Sequence, residues 1–196
     1  MYSLPFILII GRALLGIVFL VGFKYRILHS RFLLFFLIGA ISDILDGLIC
    51  RIYGSSHYPL TLSELDSFAD GIFYFSSLAY LLFNLRKELL KSKSLLIIMI
   101  CFQLLSWIFS FVKFGAFTSY HPISAKIWGI LIILSVVEIC IRKKSRLIIV
   151  MCLMGIICIS EEICITYILP VKKDSVTSIF KAIKLANEYK SSKFAK

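Results

Sequence analysis

Charged residues are scarce in this chain of 196 residues: they make up 17% of the sequence, whereas hydrophobic residues make up 60%. Soluble domains usually carry about a quarter charged residues. A water-soluble domain of this size could not bury so much apolar surface. The composition therefore excludes a soluble globular domain and predicts a chain that lies in a bilayer, where a spanning helix needs about 20 apolar residues.

Several sequence signatures are also absent. None of the six cysteines belongs to a C-x-x-C pair, and there is no P-loop, no G-x-S-x-G and no H-E-x-x-H. These absences argue against a cysteine-based zinc site, a P-loop nucleotide site, a serine hydrolase and a zinc protease. All the cysteines lie inside or beside apolar segments, so we expect them to pack as small hydrophobic residues.

Six apolar segments dominate the sequence, and short, often charged connections separate them. The segments cover residues 4–23, 32–53, 63–85, 94–112, 127–141 and 147–169. Only helices and closed barrels satisfy their own backbone hydrogen bonds in lipid, and these segments are too long for barrel strands. We therefore predict an all-α polytopic membrane protein with six transmembrane helices, in which residues 1–170 form one membrane domain.

Acidic residues are few: 11 Asp and Glu oppose 22 Lys and Arg, which gives a net charge of +11. The basic residues lie mostly between the apolar segments and in the tail, residues 171–196, which favours lipid headgroups and phosphate over nucleic acid as partners. In the tail, Ile179, Phe180, Ile183 and Leu185 recur at roughly helical spacing among lysines. This pattern is typical of a basic amphipathic helix on a membrane surface, but a solvated tail fits it equally well.

Four aspartates lie in two consecutive apolar segments. Asp43 and Asp46 are three positions apart, and Asp66 and Asp70 are four apart, so each pair lies on one helix face. Ionised groups in a membrane segment are costly and usually face a cavity. In an antiparallel hairpin the two pairs would converge, and divalent cations would remove their mutual repulsion. The alternative is that these carboxylates pair with basic residues or mark a proton path.

The ligand type narrows the choice of metal. Sites made only of oxygen ligands select Mg²⁺, Mn²⁺ or Ca²⁺. Two such ions about 4 Å apart form the usual clamp for a displacement at phosphorus. The four aspartates therefore predict a two-metal site for phosphate chemistry.

Other residues fit the same chemistry. Gly47 leaves room for the backbone to approach a ligand, and Arg51, about one turn further along, can bind phosphate oxygens through two hydrogen bonds. The fourth connection adds Lys113, His121 and Lys126. In a six-span arrangement this connection lies on the same side as Arg51. The two lysines are therefore candidates for binding pyrophosphate or an acceptor phosphate; the alternative is that they bind lipid headgroups.

The aspartate pattern resembles the CDP-alcohol phosphatidyltransferase family, whose motif reads D-x-x-D-G-x-x-A-R, then a spacer, then G-x-x-x-D-x-x-x-D. The matching positions are Asp43, Asp46, Gly47, Arg51, Asp66 and Asp70. Cys50 stands where the motif has alanine, Leu62 stands where it has its second glycine, and the spacer is slightly longer. The change at Leu62 is compatible with an altered donor preference or with a degenerate enzyme.

Two further features carry the resemblance. Leu4-Pro5 followed by Arg12 is similar to the family's N-terminal opening, with Phe6 in place of its usual Asn. The fourth connection, K-F-x-x-F followed by H and then K-x-x-G, is similar to small bacterial members that are described as phosphatidylserine-synthase-like.

The resemblance implies a specific reaction. The donor would be CDP-diacylglycerol or a related CDP-linked lipid, an alcohol would attack its β-phosphorus, and CMP would leave. Asp43, Asp46 and Asp66 would hold two Mg²⁺ or Mn²⁺ ions, and Asp70 would contact the ions and act as the general base. Serine and glycerol 3-phosphate are both open as the acceptor, and an inositol phosphate is less favoured.

The resemblance also implies a site that faces the cytoplasm of a bacterial inner membrane, because the CDP-linked donor is made there, and a homodimer, as in many members. Basic residues in the first, third and fifth connections favour the opposite orientation under the positive-inside rule. We give the donor chemistry more weight. The alternative from another class is a transporter or a non-catalytic scaffold. A transporter would more often show broken helices in two matching halves, and this sequence has four prolines and no visible repeat.

Overall fold

The computed structural model of this chain describes residues 3–22, 26–52, 60–116, 118, 120, 122–173 and 176–194. Within those ranges it describes all side chains except those of residues 3–5, 26–29, 46–52, 60–64, 67 and 192–194. Every regular element in this part of the chain is a helix. The predicted all-α class is therefore confirmed.

The helices follow the apolar segments of the sequence. They are α1 Ser3–Gly22, α2 Arg26–Ile52, α3 Leu60–Asn84, α4 Arg86–Leu89, α5 Lys93–Phe114, α6 Ile123–Arg142, α7 Arg146–Ile168 and α8 Ile179–Phe194, with a 3₁₀ turn at Leu90–Ser92. Local chemistry explains the end of α5, where Gly115 adopts a φ of 68° and donates its N–H to the carbonyl of Phe111 at 2.8 Å. Glycine adopts this left-handed conformation without steric strain, so it is a common helix terminator.

Three helical stretches in the described residues are long and apolar enough to cross a membrane: Arg86–Phe114, which contains α5, together with α6 and α7. The apolar stretch Phe6–Gly22 of α1 is shorter. Large apolar side chains are exposed along the helices, for example Val112 at 78% and Val21 at 67%. Soluble proteins rarely expose extended apolar surface, so these helices fit a membrane protein. The count of six spans is compatible with them and stays a prediction.

The chain divides into two compact units. The first comprises Met1–Leu90 and Ile139–Arg142, and the second comprises Lys91–Glu138 and Lys143–Lys196. Helix α8 lies in the tail that the sequence marks as basic and amphipathic. The division into a membrane domain at 1–170 and a membrane-surface tail at 171–196 stays a prediction.

The core of the first unit is a cluster of aromatic rings from α1, α2 and α3. The rings of Phe32 and Tyr80 stack with their centroids 4.2 Å apart, and those of Phe36 and Phe73 stack at 5.6 Å. Phe19 of α1 is fully buried and contacts three of these rings. Aromatic pairs of this kind contribute about 0.5–1.5 kcal/mol each beyond their burial. The cluster therefore joins the three helices that carry the candidate site.

Two glycines let α1 and α2 approach α3 closely. A Cβ added at Gly16 of α1 would lie 2.8 Å from Ile72 Cγ2 and 3.0 Å from Phe73 Cα. A Cβ added at Gly39 of α2 would lie 2.4 Å from the Phe73 ring. Small residues permit such close packing of membrane helices. In lipid there is no hydrophobic driving force between helices, so their association depends on close packing. Because Phe73 lies three residues after Asp70, this packing also positions the acidic part of α3.

The second unit is built around α7, which packs against both α5 and α8. Gly155 of α7 makes room for Trp128 of α6, since a Cβ there would lie 2.8 Å from the indole nitrogen. The Ser124 hydroxyl of α6 donates to Glu161 Oε2 of α7 at 2.6 Å. A buried apolar cluster that holds α8 in place consists of Tyr120, Ile165, Leu169, Val176 and Ala182.

Candidate active site

A single arginine from α1 lies where the acidic side chains of α2 and α3 meet. Arg12 Nη1 is 3.3 Å from Oδ1 of Asp43 and 3.3 Å from Oδ1 of Asp66, and it also forms an ion pair with Asp70. The Asp43 and Asp66 oxygens are thus no further apart than twice that distance. The structure therefore brings together three of the four aspartates of the sequence motif.

The arginine and the carboxylates differ in exposure. The Arg12 side chain is fully buried, whereas those of Asp43, Asp66 and Asp70 are 32%, 25% and 29% exposed. A buried charge is tolerated when it is paired, and Arg12 meets this condition because it contacts three carboxylates among the described side chains. The carboxylates form a half-open acidic surface that a small ligand can reach.

Helical spacing and one small apolar contact explain the arrangement. Asp66 and Asp70 lie about one turn apart on α3, so both point to the same side of that helix. Ile9 of α1 and Ala69 of α3 pack together as a buried contact. Ile9 precedes Arg12 by three residues and Ala69 adjoins Asp70. This contact therefore places the arginine beside the carboxylates of α3.

Asp43 has a second partner on α3. The hydroxyl of Tyr74 donates to Asp43 Oδ2 at 2.9 Å, while Oδ1 accepts from Arg12. Tyr74 follows Asp70 by four residues, as Asp70 follows Asp66. Side chains from α1 and α3 therefore hold the two oxygens of the α2 carboxylate.

The charge and the ligand atoms of this cluster fit a divalent cation. Three carboxylates and one guanidinium carry a formal net charge of −2, and carboxylate oxygens are ligands that Mg²⁺ and Mn²⁺ prefer. Among the described residues, no group of three His, Cys, Asp or Glu side chains surrounds a metal position; the Arg12 guanidinium lies where the carboxylates converge. The three carboxylates converge on this one guanidinium, so these four groups together keep a negative charge that a metal ion would neutralise.

Some predicted site residues have side chains outside the described part of the structure: Asp46, Gly47 and Arg51. Their backbone belongs to α2, so they follow Asp43 within the same helix. The side chain of Leu62, and His121 altogether, also lie outside the described residues. The roles expected of these residues stay predictions.

The two candidate substrate lysines belong to the second unit. The Lys113 ammonium donates to the backbone carbonyls of Thr166 and Tyr167, at 2.8 and 2.7 Å. Carbonyls in the last turn of a helix have no partner within that helix, so Lys113 caps the C-terminal end of α7. Lys126 is exposed in the first turn of α6. This geometry does not test the predicted contacts of either lysine with substrate, which stay predictions.

Two residues of the cluster receive no site role from the sequence pattern. In the sequence, Arg12 belongs only to a stretch that is similar to the family's N-terminal opening, and Tyr74 belongs to no motif. Each nevertheless leaves a signal in the sequence. An ionisable residue inside an apolar segment is a functional candidate in itself, and Tyr74 continues the four-residue spacing of Asp66 and Asp70.

An all-helical fold with three long apolar helices in its described residues fits a membrane protein, and convergent carboxylates in apolar segments are candidates for a functional site. The family model of the CDP-alcohol phosphatidyltransferases matches residues 2–185. The chain therefore belongs to the CDP-alcohol phosphatidyltransferase family, as the motif predicted. Membership of this family supports the transfer of a phosphatidyl group from a CDP-alcohol. The match does not distinguish the phosphatidylserine-synthase-like subtype. Comparison with curated proteins and with solved structures finds no match.

Proposed function

We propose that this protein transfers the phosphatidyl group of CDP-diacylglycerol to serine or glycerol 3-phosphate and releases CMP. Membership of the family supports the transfer of a phosphatidyl group. The observation that carries the proposal is the convergence of Asp43, Asp66 and Asp70 on Arg12 Nη1. Such a site retains negative charge and attracts the divalent cations that displacements at phosphorus use.

The proposed reaction depends on Mg²⁺ or Mn²⁺, with two ions held by Asp43, Asp46, Asp66 and Asp70. When bound, such ions stabilise charge on the phosphoryl oxygens and orient them for in-line displacement. Support comes from the oxygen-only ligand set, the residual negative charge and the partial exposure of the carboxylates. Arg12 limits the repulsion among these carboxylates when they hold no ion.

The proposed general base is Asp70. In the transfer, the acceptor oxygen forms a bond to the β-phosphorus of the donor, and the bond from that phosphorus to the oxygen of CMP breaks. The hydroxyl proton of the acceptor passes to a carboxylate oxygen of Asp70. Support for this role is the position of Asp70 as the last aspartate of the family motif and the 29% exposure of its side chain, which leaves the carboxylate open to an acceptor.

The proposed phosphate-binding residues are Gly47, Arg51, Lys113 and Lys126. For Gly47 and Arg51 the support is their place in the family motif. For the lysines the support is their charge alone. The ammonium group of Lys113 has three protons and already donates two hydrogen bonds to backbone carbonyls. One proton of Lys113 is therefore left for a phosphate oxygen.

We place the enzyme in a bacterial inner membrane as a homodimer, with its site facing the cytoplasm. The support for the membrane is the set of three long apolar helices. The support for the orientation is the chemistry of the donor, because CDP-linked lipids are made on the cytoplasmic side.

A direct assay tests the proposal. Purified full-length protein in detergent is incubated with CDP-diacylglycerol, Mn²⁺ or Mg²⁺, and serine, glycerol 3-phosphate or inositol phosphate, and the release of CMP and the lipid product are measured. We expect CMP with one acceptor and none after chelation with EDTA. The acceptor that supports turnover identifies the product.

Two variants sharpen the assay. Asp70→Asn should abolish turnover while the protein keeps its thermal unfolding temperature to within a few degrees. Glu188→Gln is the matched control, since it removes a carboxylate from an exposed position on α8, and it should retain wild-type rates. CMP release from none of the acceptors with either metal would overturn the proposed function and favour a non-catalytic scaffold.

A further inference from the structure

Tyr74 extends the acidic face of α3 by one turn. Asp66, Asp70 and Tyr74 follow one another at intervals of four residues, and all three have a contact with the α1–α2 side of the cluster. The third position differs in chemistry, because a phenol donates a hydrogen bond whereas an ionised carboxylate only accepts. Its acceptor is Oδ2 of Asp43, at 2.9 Å.

The two oxygens of Asp43 are therefore distinguished by their partners. Oδ2 accepts from the Tyr74 hydroxyl, and Oδ1 lies 3.3 Å from Arg12 Nη1, the atom on which Asp66 and Asp70 also converge. A carboxylate with one oxygen held in this way cannot rotate freely about its last torsion. Oδ1 thus stays directed at the convergence point.

The ring of Tyr74 is itself held in place. It packs edge-to-face against Phe73, with centroids 5.2 Å apart and planes at 73°. Phe73 is fully buried, and its ring leaves no space for a Cβ at Gly39 of α2. The hydroxyl therefore reaches Asp43 from a rigid support, and a phenylalanine at this position would keep the packing while losing the donor.

We propose that Tyr74 is a positioning residue of the cation site: its hydroxyl orients Asp43 so that Oδ1 is ready to bind a divalent ion. The inference rests on the proposed function in that it takes the aspartate cluster to be a metal site. Hydrogen bonds from groups behind the ligands orient metal ligands, and their removal typically weakens metal binding by about 10–100-fold. Tyr74 touches neither substrate nor metal in this role.

Mn²⁺ binding to the full-length protein gives a readout that is independent of turnover. The free Mn²⁺ signal is titrated by electron paramagnetic resonance in the absence of substrate, for wild type and for Tyr74→Phe. We expect the dissociation constant of Tyr74→Phe to rise about 10–100-fold. In the CMP assay, the Mn²⁺ concentration for half-maximal rate should rise by the same factor, and kcat at saturating Mn²⁺ should stay close to that of the wild type.

Tyr80→Phe is the matched control. It removes a phenol from the same helix, six residues further along, where the ring stacks on Phe32. Its Mn²⁺ affinity should equal that of the wild type. Thermal unfolding of both variants, measured in parallel, separates a loss of folded protein from a loss of metal affinity.

Each contrary outcome is distinct. Unchanged Mn²⁺ binding in Tyr74→Phe overturns the inference, whether or not its stability falls, and so does a wild type that binds no Mn²⁺. A lower kcat at saturating Mn²⁺ with unchanged Mn²⁺ affinity also overturns it, because it would give Tyr74 a direct part in the reaction. If the wild type releases no CMP, the proposed transfer fails, while the comparison of Mn²⁺ affinities still decides the role of Tyr74.

Discussion

The guanidinium of Arg12 on α1 forms an ion pair with Asp70 on α3, 58 positions further along the chain. The same nitrogen lies 3.3 Å from Asp43 and from Asp66. Because arginine stays charged in proteins, this side chain is a permanent counterion of the acidic cluster. Arg12 is therefore a cation that the chain itself supplies to the described part of the site, and a metal ion bound there would share the same oxygens.

A variant that removes this counterion should become dependent on metal for its stability. Loss of one partner of a buried ion pair typically destabilises a protein by about 3–5 kcal/mol, so Arg12→Met should unfold at a lower temperature than wild type in EDTA. Mn²⁺ should restore much of the loss, because binding to the folded state stabilises it by mass action. Thermal unfolding in detergent, with and without Mn²⁺, measures both effects.

Arg12→Lys is the matched control for this experiment. It keeps a positive charge but loses the planar group that contacts several carboxylates at once, so its stability in EDTA should lie between those of wild type and Arg12→Met. The counterion role would be refuted if Arg12→Met were as stable as wild type in EDTA. A gain from Mn²⁺ that is no larger in Arg12→Met than in wild type would contradict it as well.

The close contact between α1 and α3 predicts a second effect on stability. Gly16→Ala would place its methyl group 3.0 Å from the Phe73 backbone, and overpacking of this kind usually costs about 1–3 kcal/mol. Because the backbone of α3 must shift to accommodate it, we also expect lower turnover. Thermal unfolding and CMP release are the two measurements.

Gly11→Ala provides the comparison on the same helix, since nothing lies within 4 Å of a Cβ at that position. Alanine is a better helix former than glycine by about 1 kcal/mol, so this variant should be neutral or slightly stabilised. Equal losses of stability at Gly11 and Gly16 would show that the contact with Phe73 does not account for the loss at Gly16.

The sequence was sufficient for the helices and for part of the site. Apolar runs of membrane length, separated by charged connections, leave a chain in lipid little choice but helix, and the long helices coincide with those runs. The four-residue spacing of Asp66 and Asp70 fixes their common face through the helical period alone. Both results depend on local patterns, which a single sequence displays.

The partners of the site side chains depend on packing that no local pattern records. The rotation of α1 about its axis, which directs Arg12 to the carboxylates, is set by contacts of Ile9 and Gly16 with α3. The hydroxyl of Tyr74 donates to Asp43, which lies 31 positions earlier in the sequence. Lys113 bonds to backbone carbonyls, and because every residue has one, such acceptors leave no trace in the sequence.

Lys113 offers a test that separates a structural role from substrate binding. Lys113→Met removes two charge-assisted hydrogen bonds to the end of α7, and since this lysine is partly exposed, we expect a loss of only about 1 kcal/mol. If Lys113 also binds phosphate, KM for CDP-diacylglycerol should rise in addition. Thermal unfolding reports the first role, and steady-state kinetics report the second.

Lys126→Met is the matched control, because Lys126 is exposed in the first turn of α6. It should leave the unfolding temperature unchanged, and a higher KM in both variants would support the proposed phosphate contacts. Destabilisation of Lys113→Met with an unchanged KM would restrict Lys113 to capping α7. Full stability of Lys113→Met would contradict the capping role.

The outer face of α8 combines apolar and basic side chains. Phe180 is 84% exposed and Ile183 is 43% exposed, and the neighbouring Lys181 and Lys184 are also exposed. The opposite face is occupied, because Ala182 packs in the apolar cluster at the end of α7. An exposed phenylalanine followed by exposed lysines fits the boundary of a membrane, where the ring enters the lipid and the lysines meet the headgroups.

Charge reversal on this face should weaken its attachment to anionic lipid. Each basic residue near an anionic surface contributes about 1 kcal/mol, so Lys181→Glu combined with Lys184→Glu should lower the hydrogen-exchange protection of α8 in nanodiscs that contain anionic lipid. In zwitterionic nanodiscs the same variant should behave as wild type. Lys143→Glu combined with Lys144→Glu, at exposed positions between α6 and α7, makes the same change in net charge and should leave α8 unaffected. If the wild type protected α8 equally in both lipids, packing against α7 alone would account for its position.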